Sequence, residues 1–172
     1  MKVLITEDRI RERVDALGAE IATDYNGQAV TVVGVLTGCL VFLADLVRRL
    51  NHPVQIALIQ ASSYRGTATT AGELIVKDEL LPDITGRHIL LLDDIFDTGK
   101  TITRLVEHLR AKGAASVKTC VLLRKVGRQE VPFEPDYVGF AIPDAFVVGY
   151  GLDFNDEYRH LPFIAVLPGS DS

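Results

Sequence analysis

Cysteine is scarce in this chain: Cys39 and Cys120 are the only two among 172 residues, and they stand in no metal-ligand spacing. A thiolate metal site is thereby excluded, and both thiols are expected to be reduced. The start, Met1-Lys2-Val3-Leu4-Ile5-Thr6-Glu7-Asp8-Arg9, lacks the long apolar core of a signal peptide, so a cytoplasmic location is expected. Apolar runs fall well short of the roughly 20 residues that span a bilayer, which predicts a soluble chain with no membrane partner. A basic excess is missing too. Lysine and arginine number 18 against 23 aspartates and glutamates, for a net charge of −5, and this argues against a nucleic-acid footprint. Neither G-x-x-x-x-G-K-[ST] nor a G-x-G-x-x-G after a strand occurs, so nucleotide hydrolysis and dinucleotide binding lose ground.

What is present is enough for one sizeable core, with 48% hydrophobic and 24% charged residues, and a single domain over residues 1–172 is expected. The chain is organised around His88-Ile89-Leu90-Leu91-Leu92-Asp93-Asp94-Ile95-Phe96-Asp97-Thr98-Gly99-Lys100-Thr101. A continuous apolar run of strand length delivers two adjacent carboxylates, turns through Asp97-Thr98-Gly99 and enters a helical pattern carried by Ile102, Leu105, Val106 and Leu109. Before it, Ile10, Val14, Leu17 and Ile21 mark a helix over Glu7 to Tyr25, closed by Asn26-Gly27. The β-branched run Val30 to Leu36 reads as a central strand covered on both faces, followed by a Thr37-Gly38 loop and a helix over Leu40 to Leu50. Val54 to Ile59 is the next strand. Ala61 to Gly72 has no apolar period and is expected to form a long mobile loop. Glu73 to Lys77, Ser116 to Leu123, Tyr137 to Ile142 and Phe163 to Leu167 complete the strands. Strands alternating with helices predict an α/β fold with a doubly wound, mostly parallel sheet flanked by helices. Its ligands bind beyond the carboxyl ends of the strands, where Thr37-Gly38, Asp93-Asp94 and Lys125 fall.

An aspartate ahead of a helix is often only a cap, and that would account for Asp97 or Thr98. It leaves Asp93 and Asp94 unexplained, because neighbouring carboxylates repel one another unless a cation or donor sits beside them. A carboxylate pair next to a small polar loop and a helix start is suited to a phosphorylated, metal-bound ligand.

Leu90 to Thr101 resembles the phosphoribosyl-pyrophosphate signature of type I phosphoribosyltransferases. Ser62-Ser63-Tyr64, Leu123-Arg124-Lys125, the stretch Tyr137 to Asp153 and Tyr158-Arg159-His160-Leu161-Pro162 extend the resemblance to the hypoxanthine(-guanine) branch over nearly the whole chain. The resemblance implies that fold, with a small hood and a mobile active-site loop carrying Ser63 and Tyr64. It implies that Asp93 and Asp94 hold the ribose hydroxyls and Mg2+, that Asp97, Thr98, Gly99, Lys100 and Thr101 cradle the 5-phosphate, and that Asp153 serves a second Mg2+. Thr37, Gly38 and Arg159 would meet pyrophosphate. The family commonly has a lysine or arginine at the Thr37 position, after a non-proline cis peptide, so Thr37 contacts here would be through backbone N–H groups. Lys125 would bond the purine 6-oxo group, Phe146 stack on the base, and Ile95, Val147 and Asp153 complete the base site.

The reaction so implied is purine salvage: pentosyl transfer from phosphoribosyl pyrophosphate to hypoxanthine or guanine, with Asp97 as general base or as stabiliser of the proton at purine N7. A homodimer or homotetramer is implied as well. The competing readings are a phosphoribosyl-fold regulator that binds nucleic acid, and a transferase for xanthine or another base.

Overall fold

The computed structural model describes residues 1–63 and 73–169. Its centre is the pair of apolar runs read above: β2 (Val30–Leu36) and β5 (His88–Phe96) lie side by side and parallel, with Val32 opposite Leu90 and Gly34 opposite Leu92. Outward from β2 runs β3 (Val54–Ser63), parallel, then β4 (Leu74–Lys77), antiparallel at the edge. Outward from β5 run β6 (Ser116–Lys125) and β7 (Tyr137–Ile142), both parallel, giving the six-stranded order β4-β3-β2-β5-β6-β7.

Side chains alternate across a strand, so one apolar run supplies two cores. Leu90 and Leu92 join the cluster under α1 (Glu7–Tyr25) and α2 (Leu40–Val47), where Ile10, Val14, Leu17, Ile21, Phe42 and Leu46 are buried. Ile89 and Leu91 join the opposite cluster under α3 (Lys100–Ala111), whose Ile102, Leu105, Val106 and Leu109 form its buried stripe. This is the doubly wound arrangement. Helix α1 opens with Thr6 Oγ1 accepting from the Arg9 N–H at 3.3 Å and closes on Asn26 in the left-handed region, whose N–H donates to the Ala22 carbonyl.

Three short strands form a separate antiparallel hood in the order β1-β9-β8: β1 (Lys2–Ile5), β8 (Val147–Val148) and β9 (Ile164–Val166). The last apolar run therefore builds the hood rather than the main sheet, and Phe163 and Leu167 stay outside it. Helix α2 stops at Val47 rather than Leu50, because the Arg49 and Leu50 N–H groups turn to the nearer Leu46 and Val47 carbonyls.

The expected loop from Ala61 needs correction at its start. β3 continues through Ser63, with Ala61 opposite Val76, Ser62 opposite Ile75 and Ser63 opposite Leu74. The polar side chains there hid a strand whose stability comes from backbone pairing with β4. Tyr64 and the rest of the expected loop lie outside the described residues. No helix among the described residues is long and apolar enough to cross a membrane.

Candidate active site

The chain reverses its direction of travel across the sheet between β2 and β5, and such a switch point opens a crevice at the carboxyl ends of the strands. The loop after β2 and the loop after β5 face each other there. A cavity of about 360 Å³ is lined by Leu36, Thr37 and Gly38 on one side, and by Asp93, Asp94, Asp97, Thr98, Gly99 and Thr101 on the other, with Asp153 and Arg159 reaching in from the hood end. Thr37 is exposed and follows a cis Leu36–Thr37 peptide.

Asp93 ends the continuous buried stretch of β5 that begins at Ile89, and its Oδ1 accepts the Asp94 N–H at 2.8 Å. Burial and the adjacent Asp94 carboxylate push its acid well above the usual range, so a ligand offering hydroxyls or a cation relieves a real electrostatic cost. Asp94 Oδ1 accepts the Ile95 N–H at 2.8 Å. Its other oxygen lies so near Gly38 that a Cβ there would be 1.9 Å away.

The turn Asp97-Thr98-Gly99 ends with Gly99 at φ +90°, a conformation that admits glycine, and α3 starts at the next residue, where the Lys100 N–H donates to Thr98 Oγ1 at a long 3.4 Å. The N–H groups of this first turn, at the positive end of the helix, suit an anion. Lys100 does not line the cavity: its ammonium pairs with Glu130 at 2.9 Å on the outer side, which leaves only its backbone for a phosphate.

A second cavity of about 190 Å³ opens from the same carboxylates, lined by Asp94, Ile95, Asp97, Lys125, Phe146, Val147, Leu152 and Asp153. Phe146 is 41% exposed and meets Phe154 edge to face, with ring centroids 5.5 Å apart. An apolar ring left open to a cavity is a stacking surface for a flat ligand. Lys125 Nζ stands 3.8 Å from Asp97 and 3.8 Å from Asp144. Arg159 donates to the Gly151 carbonyl at 2.7 Å and lies 3.3 Å from Asp153 and 3.2 Å from Asp156.

Of the expected site residues among the described ones, all but Lys100 and Ser63 line the two cavities; Ser63 sits at the end of β3, and Tyr64 lies outside the described residues. Three residues escaped the reading of the sequence. Arg128 donates Nε–H to Asp97 Oδ1 at 2.9 Å, Asp144 closes a ring of charges with Lys125 and Arg128, and Phe154 props Phe146. Their only signal was nearness in sequence to Lys125, Phe146 and Asp153.

A family model described as a phosphoribosyl transferase domain matches residues 5–155. A hypoxanthine-guanine phosphoribosyltransferase of Streptococcus pneumoniae is 42% identical over 166 residues, covering 96% of this chain and 92% of the relative. The corresponding protein of Bacillus subtilis is 41% identical over the same length, with 96% and 92% covered. The crystal structure of a hypoxanthine-guanine phosphoribosyltransferase from Bacillus anthracis superposes with a TM-score of 0.91 at 39% identity, covering 97% of this chain and 98% of that one. With the signature, the twin cavities and these likenesses in agreement, the chain belongs to the phosphoribosyltransferase family, on its hypoxanthine-guanine branch.

Proposed function

We propose that this chain transfers the 5-phosphoribosyl group of phosphoribosyl pyrophosphate to hypoxanthine or guanine, giving IMP or GMP and pyrophosphate in purine salvage. The observation that carries the reading is the pair of cavities that share Asp94, Ile95, Asp97 and Asp153: one is walled by a phosphate-ready helix start, the other by Lys125 and Phe146. Donor and acceptor would meet at Asp97.

In this reading the N–H groups of residues 98 to 101 bind the 5-phosphate, and Asp93 with Asp94 receives the ribose hydroxyls. Phe146 stacks on the base while Lys125 donates to the 6-oxo group. The bond from purine N9 to C1 forms as the bond from C1 to pyrophosphate oxygen breaks, and Asp97 receives or stabilises the proton at N7. Arg159 and the loop N–H groups at Thr37 and Gly38 meet the charge of the departing pyrophosphate. Magnesium suits this donor set. Asp93, Asp94 and Asp153 offer hard carboxylate oxygens, but among the described residues no three acidic, histidine or cysteine groups come close enough to cage an ion alone. The ion would be held jointly by these carboxylates and by ligand oxygens, and when bound it supplies charge neutralisation for the pyrophosphate.

A cytoplasmic setting and a homodimer or homotetramer belong to the same proposal. Two buried, unpaired thiols fit reducing surroundings, and sedimentation velocity measures the assembly.

The test is phosphoribosyl pyrophosphate with magnesium against hypoxanthine, guanine, xanthine, adenine and uracil in separate reactions. Nucleotide from hypoxanthine or guanine is expected, and none from any base sinks the proposal. Asp97→Asn is expected to keep phosphoribosyl pyrophosphate binding while kcat falls about 10²- to 10⁴-fold; unchanged turnover would remove Asp97 from the chemistry. Filter binding to DNA and RNA at low salt is expected to be negligible.

A further inference from the structure

Lys125 is the most enclosed cation of the site, with its side chain 14% exposed, and it is held in an unusual way. Its Nζ lies 3.8 Å from Asp97 Oδ2 and 3.8 Å from Asp144 Oδ1. Both distances give ion pairing and both exceed hydrogen-bond reach. The two carboxylates balance the charge while its N–H donors remain unspent on either. Arg128 completes the ring: it donates to Asp97 Oδ1 at 2.9 Å and stands 3.9 Å from Asp144. One oxygen of Asp97 is thereby anchored and the other faces the lysine.

The position of Asp144 is built in rather than incidental. Lys125 is registered against Ile142 across β6 and β7, and the Val126 N–H donates to the Ile142 carbonyl at 2.9 Å just past the strand end. The turn that follows, with the Ala145 N–H donating to the Pro143 carbonyl at 2.8 Å, brings Asp144 back towards the lysine.

Resting on the proposed transferase reading, we propose that Asp144 is a positioning residue for acceptor recognition: it suspends Lys125 between two carboxylates so that its donors stay available to the 6-oxo group of the incoming purine. Without that counter-charge, Lys125 closes onto Asp97 at the ordinary contact of about 2.8 Å. The ammonium's donors are then spent on Asp97 instead of the base, and it covers the Asp97 oxygen that faces it. An incoming purine has to break this pair, so the penalty falls on base binding in the free site. Once the base is bound, the lysine and Asp97 are parted and turnover proceeds at its usual rate.

Steady-state kinetics of Asp144→Asn and Asp144→Glu beside the wild type test this. Asp144 is 54% exposed, so the fold does not depend on it. For Asp144→Asn, the KM for hypoxanthine is expected to rise about five- to tenfold, with kcat and the KM for phosphoribosyl pyrophosphate within about twofold of wild type. Asp144→Glu, which returns the charge, is expected to restore most of the base KM. An unchanged base KM in Asp144→Asn overturns this inference alone. So does a parallel loss in kcat and both KM values that glutamate does not restore, since that is a merely structural effect. A wild type that makes no nucleotide overturns the transferase reading and this inference with it.

Discussion

Gly38 shows how little room the site leaves at the level of single atoms. A Cβ there would lie 1.9 Å from Asp94 Oδ2, and a Cβ on Gly151, at φ +97°, would lie 2.4 Å from the Gly38 carbonyl oxygen. The two backbones and the carboxylate are packed closely, so the loop after β2, the hood end and the Asp94 carboxylate are set against one another. Gly38→Ala is expected to swing the Asp94 carboxylate away and lower kcat/KM about a hundredfold or more, as a displacement near 1 Å does elsewhere. Its far-ultraviolet circular dichroism should match wild type; wild-type activity would show that the loop yields instead. Asp93, Asp94, Asp97 and Lys125 were legible because charged residues end apolar strands there. Arg128 and Asp144 were not, because an exposed charge in a loop has no pattern of its own and gains meaning only from what stands opposite in space.

Among the elements, α3 does the most to place the proposed phosphate site, and it is held along its buried stripe and at its start. Leu105 and Leu109 are fully buried against the sheet. At its start, the Glu130 N–H donates to the Thr98 carbonyl at 2.8 Å, Lys100 pairs with Glu130, and Phe133 stacks on Phe96 with ring centroids 6.4 Å apart. Leu105→Ala removes a core anchor of the helix and is expected to cost about 2–5 kcal/mol in urea unfolding, whereas the exposed Arg104→Ala should change stability by about 0.5 kcal/mol or less. Equal effects from the two would contradict the buried-stripe assignment. The long periodic elements were the readable ones: α1, β2, β5 and α3 follow from apolar spacing alone. The hood strands β1 and β8, of four and two residues, are too short to carry a period, and the end of β3 is polar because its partner is the β4 backbone rather than a core. The hood was legible only through family resemblance, since it is assembled from the two ends of the chain.

Across the whole molecule, two apolar cores meet in one sheet, and titratable groups are locked into them in their neutral forms. Burial, with Asp93 and Asp94 nearby, pushes the Cys39 thiol up to about 12, and burial pushes the Cys120 thiol up as well. Burial, aided by aspartates beside each ring, likewise raises Tyr25, Tyr137 and Tyr150. In the unfolded chain, thiols ionise near ~8.5 and phenols near ~10. Above those values the unfolded chain binds fewer protons than the folded one, so stability is full below about pH 8 and falls as pH rises. Each buried thiol removes about 1.4 kcal/mol per pH unit until its folded-state value is reached, and the tyrosines add a loss of the same sign above about pH 10. The urea midpoint is therefore expected to drop steeply between about pH 8 and about pH 10.5, with a shallower drop in Cys39→Ala. Equal midpoints at the two pH values would mean that these groups ionise as readily folded as unfolded. For the same reason neither thiol should react with a thiol reagent at about pH 8 until the chain unfolds, because the nucleophile is the thiolate and both sulfurs are buried.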